Sequence, residues 1–485
     1  MTIKEINQVL TQSEKAFKTY RSYSGKQKAA FLRQIAVEIE SLSDVLIQTA
    51  SRESNLPIAR LTGERGRTTG QLRLFADYVE EGSWVDATID TAIPDRQPLP
   101  KVDLRKMLVP MGTVVVFGAS NFPLAFSTAG GDTASALASG CPVVVKGHPA
   151  HIETSRLVAS AIEKAAAVTK MPKGVFGHVE GGIEVGKHLA KHPSVSAVAF
   201  TGSYMAGKAL FDIANKRKQP IPVFAEMGSI NPVILFENAL KERNESLSTQ
   251  LADSVTLGVG QFCTNPGLIL GVESAAFESF LLGFTSKIQA KTAAPMLHEG
   301  IAKNYQKGLE MFTNQAETAV STIENTNNPI SGHPSVGVVS GASFLKNKVL
   351  HQEVFGPFSL VVKCKDKSEL KRIVKKLEGQ LTATLMSEPS DLTSNKDIIA
   401  AISEKCGRLI VNNVPTGVEV THAMQHGGPF PSTTDSRFTS VGTSAILRFV
   451  RPFCYQNYPN DLLPDALKES NSLSIWRKIN GVLNK

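Results

Sequence analysis

Over residues 1–91 the apolar positions fall at helical spacing, first from Phe31 to Ala50 and again from Gln71 to Val79 ahead of Gly82. Pro94, Pro98 and Pro100 then interrupt any regular element, and Lys101 to Val109 alternates apolar and polar residues as an extended arm does. From Thr113 the pattern changes to short β-branched runs separated by amphipathic stretches. Thr113 to Phe117, Pro142 to Lys146, Gly174 to Val179 and Val195 to Thr201 are predicted strands. Ile152 to Ala167, Glu184 to Lys191 and Met205 to Lys216 are predicted helices. This alternation predicts an α/β fold with a doubly wound, Rossmann-like parallel sheet, a form suited to dinucleotides. A second αβ series runs from Asn231-Pro-Val-Ile-Leu-Phe236 to about Ile410-Val-Asn-Asn413. Ala445 to Tyr455 reads as a strand ending in an arm, and Asp461 to Lys485 as a short polar helical tail. The expected organisation is a dinucleotide-binding domain of residues 1–91 and 111–228, a catalytic domain of 229–444, and an oligomerisation arm and C-terminal tail of 92–110 and 445–485.

Composition narrows the class. With 485 residues, 42% of them hydrophobic, the chain buries more than one core. Its apolar runs, such as Val114 to Gly118 and Pro142 to Val145, are too short to span a bilayer. Met1-Thr-Ile-Lys-Glu-Ile-Asn7 carries no secretory pattern, so a cytoplasmic protein without a membrane partner is expected. The five cysteines are odd in number and widely spaced, which argues against a disulfide framework or a zinc site. The net charge of +8 comes from scattered basic residues, not from a stripe interleaved with aromatics; it reads as ordinary solubility, and nucleic acid is excluded as a partner.

Three residues combine chemistry with position. Cys263, in Gly260-Gln-Phe-Cys263-Thr, follows a helical stretch from Gln250 to Leu257 and precedes the apolar run Leu268 to Leu270, which puts the thiol on a loop. Taken alone, an unpaired cysteine is as well explained as a small buried hydrophobe. Glu226 ends the apolar run in Phe224-Ala-Glu226-Met-Gly-Ser, and Asn121 follows the first strand of the series in Phe117-Gly-Ala-Ser-Asn121-Phe-Pro. Separately these are a surface carboxylate and a turn residue. Taken jointly, a thiol on a loop, a carboxylate at the end of an apolar run and an amide after a strand look less incidental than each does alone. His422 and His426 are spaced i, i+4 and His148 and His151 i, i+3, but neither pair carries the glutamate of a zinc-protease motif. They read as polar loop histidines, and no metal is expected.

Six motifs in order, Ser120-Asn-Phe-Pro, Val145-Lys-Gly-His, Phe200-Thr-Gly-Ser, Glu226-Met-Gly, Gly260-Gln-Phe-Cys and Glu353-Val-Phe-Gly-Pro357, resemble the aldehyde dehydrogenase superfamily from about residue 20 to residue 455. The resemblance implies the aldehyde dehydrogenase fold, with an αβ catalytic domain and a β oligomerisation arm. It implies that Cys263 is the nucleophile, that Asn121 Nδ2 and the Cys263 N–H form an oxyanion hole, and that Glu226 is the general base. It further implies that Lys146 reaches the adenosine ribose, that Glu353 holds the nicotinamide ribose with Phe355 beside the ring, and that Gly202 and Ser203, opening a helix, face the pyrophosphate. Family members that prefer NAD commonly carry Glu where this chain has Pro149. Without that carboxylate, and with Lys146 and His148 as donors, NADP is expected to serve at least as well as NAD.

Phe126-Ser-Thr-Ala-Gly-Gly-Asp-Thr-Ala-Ser-Ala-Leu137, Arg67-Thr-Thr-Gly-Gln-Leu-Arg-Leu-Phe75, Thr421-His-Ala-Met-Gln-His-Gly-Gly-Pro-Phe-Pro431 and Arg451-Pro-Phe-Cys-Tyr-Gln456 resemble the group within that family acting on α-ketoglutaric semialdehyde (2,5-dioxopentanoate). The first stretch is shared with bacterial long-chain enzymes. A substrate of that kind needs a cation or hydroxyls at its far end; Arg73, Arg437, Ser432 and Thr433 are the candidates, with Phe122 and Phe126 lining the aldehyde channel. The alternatives are a medium- or long-chain (fatty) aldehyde dehydrogenase, a CoA-acylating or phosphorylating variant, which the retained Glu226 disfavours, and an inactive member acting as a binding protein, which the presence of Cys263, Glu226, Asn121, Lys146 and Glu353 disfavours. The arms imply a homodimer or homotetramer.

Overall fold

A computed structural model of the chain describes residues 1–315, 318–322 and 328–485. The β-branched runs of the first series form a five-stranded parallel sheet in the spatial order Phe176–Val179, Val143–Lys146, Thr113–Phe117, Val195–Thr201, Val223–Glu226. The central Thr113–Phe117 strand, Thr-Val-Val-Val-Phe, is buried along its whole length, as a strand covered on both faces must be. Chain order reverses on either side of it. The loops leaving the carboxyl ends of Thr113–Phe117 and Val195–Thr201 therefore flank the switch point of the sheet, where a crevice forms.

Four helices precede this sheet: Ile3–Tyr20, Gly25–Ser41, Ser43–Ser54 and Ile58–Glu81. The periodic stretch from Phe31 to Ala50 is thus two helices, not one. The break falls at Ser41-Leu-Ser43, where the Ser41 hydroxyl bonds back to the Glu38 carbonyl and Ser43 takes φ 48°. Phe31, Leu32, Leu72 and Phe75 of this layer pack with Val114, Val116 and Val145 in one core.

The second series forms a seven-stranded sheet in the order Ala319–Thr322, Ser335–Ser340, Phe358–Cys364, Leu268–Val272, Val233–Leu235, Gln380–Met386, Cys406–Val411. Only the first pairing is antiparallel, and separate cores cover the two faces. A third sheet takes the arm strand Leu104–Pro110 between Val450–Gln456 and Thr88–Asp90, then adds Arg477–Ile479 and Val482–Asn484. The predicted helical tail is corrected here. Residues 461–485 form short 3-10 turns and a hairpin, because Asn480-Gly481 supplies two consecutive positive-φ residues at its turn. Among the described residues no helix is long and apolar enough to cross a membrane.

Candidate active site

The loop bearing Cys263 enters the strand Leu268–Val272 from the helix Glu237–Thr256 through Gly258, Val259 and Gly260, all at positive φ. A Cβ on Gly260 would lie 2.2 Å from the Gly356 carbonyl oxygen, so this loop touches the Glu353–Pro357 loop backbone to backbone. Buried Asn231 fixes the rest. Its Nδ2 donates to the carbonyls of Cys263 (2.8 Å) and Asn265 (2.9 Å), and Asn265 Nδ2 donates to the Gly356 carbonyl (3.1 Å). The sulfur is held by a lattice of backbone acceptors rather than by its own packing.

Asn121 follows the central strand and is buried. Its Nδ2 donates one hydrogen to the Gln261 carbonyl at 3.1 Å, which orients the amide and leaves its second hydrogen free. Among the described residues the Cys263 backbone N–H has no acceptor. Two donors beside the thiol thus have capacity for an oxyanion.

Glu226 ends the strand Val223–Glu226 and is buried. Its Oε1 accepts from His426 Nε2 at 3.0 Å and its Oε2 from the Ser440 hydroxyl at 2.6 Å. Burial alone raises its pKa, but the donors His426, Ser440 and Cys263 outweigh burial and hold the carboxyl below its ordinary value. His426 Nε2 also lies 3.5 Å from Cys263 Sγ, and one ligand atom from each of Glu226, Cys263 and His426 lies within 4.8 Å of the others. His426 Nδ1 is buried without a partner, which favours the tautomer carrying its proton on Nε2. That N–H is directed at the carboxylate and is within reach of the sulfur. Burial pushes the Cys263 thiol well up, Glu226 and Glu353 raise it further, and Arg67 opposes them. The resting thiol is protonated. Glu226, Cys263 and His426 form a group of residue types able to hold a metal ion; here hydrogen bonds satisfy them.

One cavity of about 500 Å³ connects these groups to the switch point. Asn121, Phe122, Phe126, His148, Gly202, Ser203, Glu226, Cys263, Glu353 and Phe355 all line it. Ser203 caps the helix Tyr204–Asn215, so unpaired amides of the first turn face the cavity as they do in phosphate sites. Lys146 ends its strand half-buried, two residues before His148. His148 is pushed down to about 3 by burial and by His151, Lys146 and His298, and its Nδ1 accepts from the Ala150 N–H; it offers a neutral Nε2–H rather than a charge. Glu353 is open to the cleft, yet desolvation against its wall pushes the carboxyl up to about 7, a shift that solvent in the open cleft moderates. The cavity has the size, the helix N-terminus and the polar lining that a nicotinamide dinucleotide needs.

Residues 1–450 match the Aldehyde dehydrogenase family. The chain belongs to that family. As a member it is an oxidoreductase acting on an aldehyde group, with NAD or NADP as acceptor. It is 51% identical over 470 residues to alpha-ketoglutaric semialdehyde dehydrogenase 2 of Azospirillum brasilense, covering 96% of this chain and 89% of that one. It is 46% identical to alpha-ketoglutaric semialdehyde dehydrogenase of Acinetobacter baylyi, covering 100% and 92%. Solved structures share the fold: betaine aldehyde dehydrogenase from Staphylococcus aureus in complex with NAD+ superposes with a TM-score of 0.80 at 18% identity over 94% of this chain and 88% of that one. A 3,6-anhydro-L-galactose dehydrogenase in complex with NAP gives 0.79 at 21%, over 93% and 91%.

Four candidates for the far end of the substrate are corrected. Arg73 points away from the cleft and forms a bidentate pair with Glu40 at the surface. Arg437 pairs with its neighbour Asp435, its side chain 79% exposed. The Ser432 and Thr433 hydroxyls donate to the carbonyls of Pro429 and Gly428, bracing the segment that bridges to Glu226. His426 does lie on a loop, but it is buried there as a neighbour of the thiol rather than facing solvent. Sequence reasoning also passed over Ser440, Arg60 and Arg67. Arg60, Glu64, Arg67 and Gln71 recur at i, i+4, i+7 and i+11, a polar stripe on the inner face of the helix Ile58–Glu81, and that periodicity was the available signal.

Proposed function

We propose that this chain oxidises α-ketoglutaric semialdehyde to 2-oxoglutarate with NADP or NAD, through a thiohemiacetal and a thioester on Cys263. The observation that carries the reading is the grouping of Cys263 with Glu226, His426 and the two donors at the base of a dinucleotide-sized cavity. Glu226 takes the thiol proton, and His426 Nε2–H turns from the carboxylate towards the new thiolate. The sulfur adds to the aldehyde carbon while Asn121 Nδ2 and the Cys263 N–H hold the oxygen, donors each worth roughly 3–4 kcal/mol of barrier. A nicotinamide dinucleotide, when bound, accepts the hydride. Glu226, once it has released the thiol proton to solvent, then deprotonates a water that attacks the thioester carbon and expels the thiolate. Lys146, His148, Gly202, Ser203, Glu353 and Phe355 hold the dinucleotide. Pro149, in place of a carboxylate, favours acceptance of a 2′-phosphate.

The substrate reading draws on the two relatives, and a homodimer or homotetramer with a cytoplasmic location completes it; unpaired cysteines fit a reducing compartment. The test is steady-state kinetics with α-ketoglutaric semialdehyde, succinic semialdehyde and a fatty aldehyde, each with both cofactors, alongside Cys263→Ser. Expected are a kcat/KM for the first substrate about 100-fold above the fatty aldehyde and loss of turnover in the variant. The reverse ranking would assign the chain to fatty aldehydes.

A further inference from the structure

The helix Ile58–Glu81 turns Arg60, Glu64 and Arg67 towards the loop that carries Asn121, Phe122 and Phe126. Resting on the reading above, that the substrate carries an anionic end, we propose that Arg60 and Arg67 form the receptor for the terminal carboxylate of an ω-oxo acid whose aldehyde carbon reaches Cys263.

Position comes first. The Arg67 guanidinium stands 5.5 Å over the Phe126 ring; that ring packs 6.1 Å from the ring of His426, and His426 touches the sulfur. The Arg60 guanidinium lies 5.0 Å over Phe122 and 4.9 Å over Phe262, the residues following Asn121 and preceding Cys263. Arg60 thus stands against the rings that flank the reacting centre, and Arg67 is two rings from the sulfur. Arg67 is near enough to lower the thiol electrostatically.

The donors left over have the right shape. Arg67 Nη1 donates to the Val418 carbonyl, while its Nε and Nη2 are buried with no acceptor. Nε and Nη2 are the edge of a guanidinium that grips a carboxylate with two parallel hydrogen bonds. Arg60 likewise commits Nη2 to the Asn121 carbonyl, at 2.8 Å, and leaves Nη1 unpartnered. Buried charged donors without partners are costly, so an acceptor is expected at both.

Charge points the same way. Glu64, the carboxylate between the two arginines, gives its Oε1 to the Leu124 and Ala125 N–H groups and hydrogen-bonds neither guanidinium. Burial raises its pKa and lowers those of Arg60 and Arg67, as removal from water does for uncompensated charges. Glu64, Glu226 and Glu419 all act on Arg67 electrostatically, yet none of them is a hydrogen-bond acceptor for its Nε or Nη2, which stay open to a further acceptor. Phe122, Phe126 and Phe262 pack ring to ring as an apolar collar beside the two arginines, surface suited to the methylene chain of such a substrate. A fatty aldehyde of any length would have to leave its tail against these cations.

The test uses Arg67→Met, Arg67→Lys and Arg60→Met in the full chain, with α-ketoglutaric semialdehyde and pentanal as substrates and glutarate as a competitive inhibitor against pentanal. The quantity read is the ratio of kcat/KM for the semialdehyde to that for pentanal. It is expected to fall about 100-fold in Arg67→Met, mostly through KM, and about 10-fold in Arg67→Lys, where charge remains but the fork is lost. The glutarate inhibition constant should rise about 10-fold or more in both methionine variants. If Arg67→Met does not fold, Arg67→Lys and Arg60→Met carry the same comparison. A parent enzyme that prefers the semialdehyde, with an unchanged ratio and unchanged glutarate inhibition in every variant, overturns the receptor and leaves the substrate reading intact. A parent that prefers pentanal, yet is inhibited by glutarate through Arg67, overturns the substrate reading and leaves the receptor intact.

Discussion

Glu226 is a carboxylate that burial alone would protonate, kept ionised by His426 and the Ser440 hydroxyl. Its folded pKa lies below the ordinary value, so the base form survives to lower pH than an unassisted carboxylate would allow. Removing a donor raises that pKa and withdraws the base as the solution is acidified. His426→Phe is therefore expected to move the acid limb of the kcat/KM profile upward by about one pH unit or more, and Ser440→Ala by less. The plateau in His426→Phe should also fall about 10- to 100-fold, because the thiolate loses its nearest N–H donor. An acid limb that stays in place in both variants would show that a group other than Glu226 sets it. Cys263, Glu226 and Asn121 were legible from motif order alone, since each belongs to a short contiguous string. His426 was not, because its meaning depends on a fold that carries residue 426 across to the strand ending at Glu226, and an i, i+4 pair with His422 offered a simpler reading. The far-end candidates were hard to read for a related reason: Arg73 and Arg67 lie on one helix, and only its facing decides that Arg73 meets Glu40 at the surface while Arg67 stands over Phe126.

At the scale of elements, Gly260 joins the nucleophile loop to the Glu353–Pro357 loop. At φ 63° and with the Gly356 oxygen 2.2 Å from where a Cβ would sit, Gly260→Ala must push the loops apart. A stability loss of about 2 kcal/mol or more is expected, with loss of turnover and weaker dinucleotide binding, read by thermal unfolding and by fluorescence titration. Gly70→Ala is the matched control: it sits inside the helix Ile58–Glu81 with open space around it, and should leave stability equal or raise it by up to about 1 kcal/mol. Equal effects of the two would remove the steric account of Gly260. Four of the five strands of the first sheet were read from the sequence to within two residues, because covered parallel strands are apolar runs; Val223–Glu226 was seen only as an apolar run ending at Glu226. The tail after residue 460 was misread as helical because its polar stretches are short and its strands have three residues each; Arg477–Ile479 pairs with Thr88–Asp90, distant in sequence, and Val482–Asn484 only with Arg477–Ile479 across the Asn480-Gly481 turn.

Over the whole molecule, three sheet-edge strands among the described residues carry exposed apolar side chains. The strand Cys406–Val411 borders the seven-stranded sheet with Leu409 and Val411 exposed, and the arm sheet ends at Val450–Gln456 and Val482–Asn484 with Phe453, Val482 and Leu483 exposed. Long, apolar, unpaired edges are templates for another chain. The 52.2 kDa chain is expected to sediment at twice its mass or more, and the double substitution Leu409→Glu and Val411→Glu to shift it towards monomer. An unchanged mass in that variant would place the subunit contact elsewhere.

The helix Ile58–Glu81 belongs to the N-terminal layer, while the sulfur sits on a loop and its base at a strand end far along the chain. Yet that helix braces the segment bearing Asn121, through Arg60 on the Asn121 carbonyl and Glu64 on the Leu124 and Ala125 N–H groups. A mutation there that alters which molecules are admitted is consequently felt by the oxidising machinery as well.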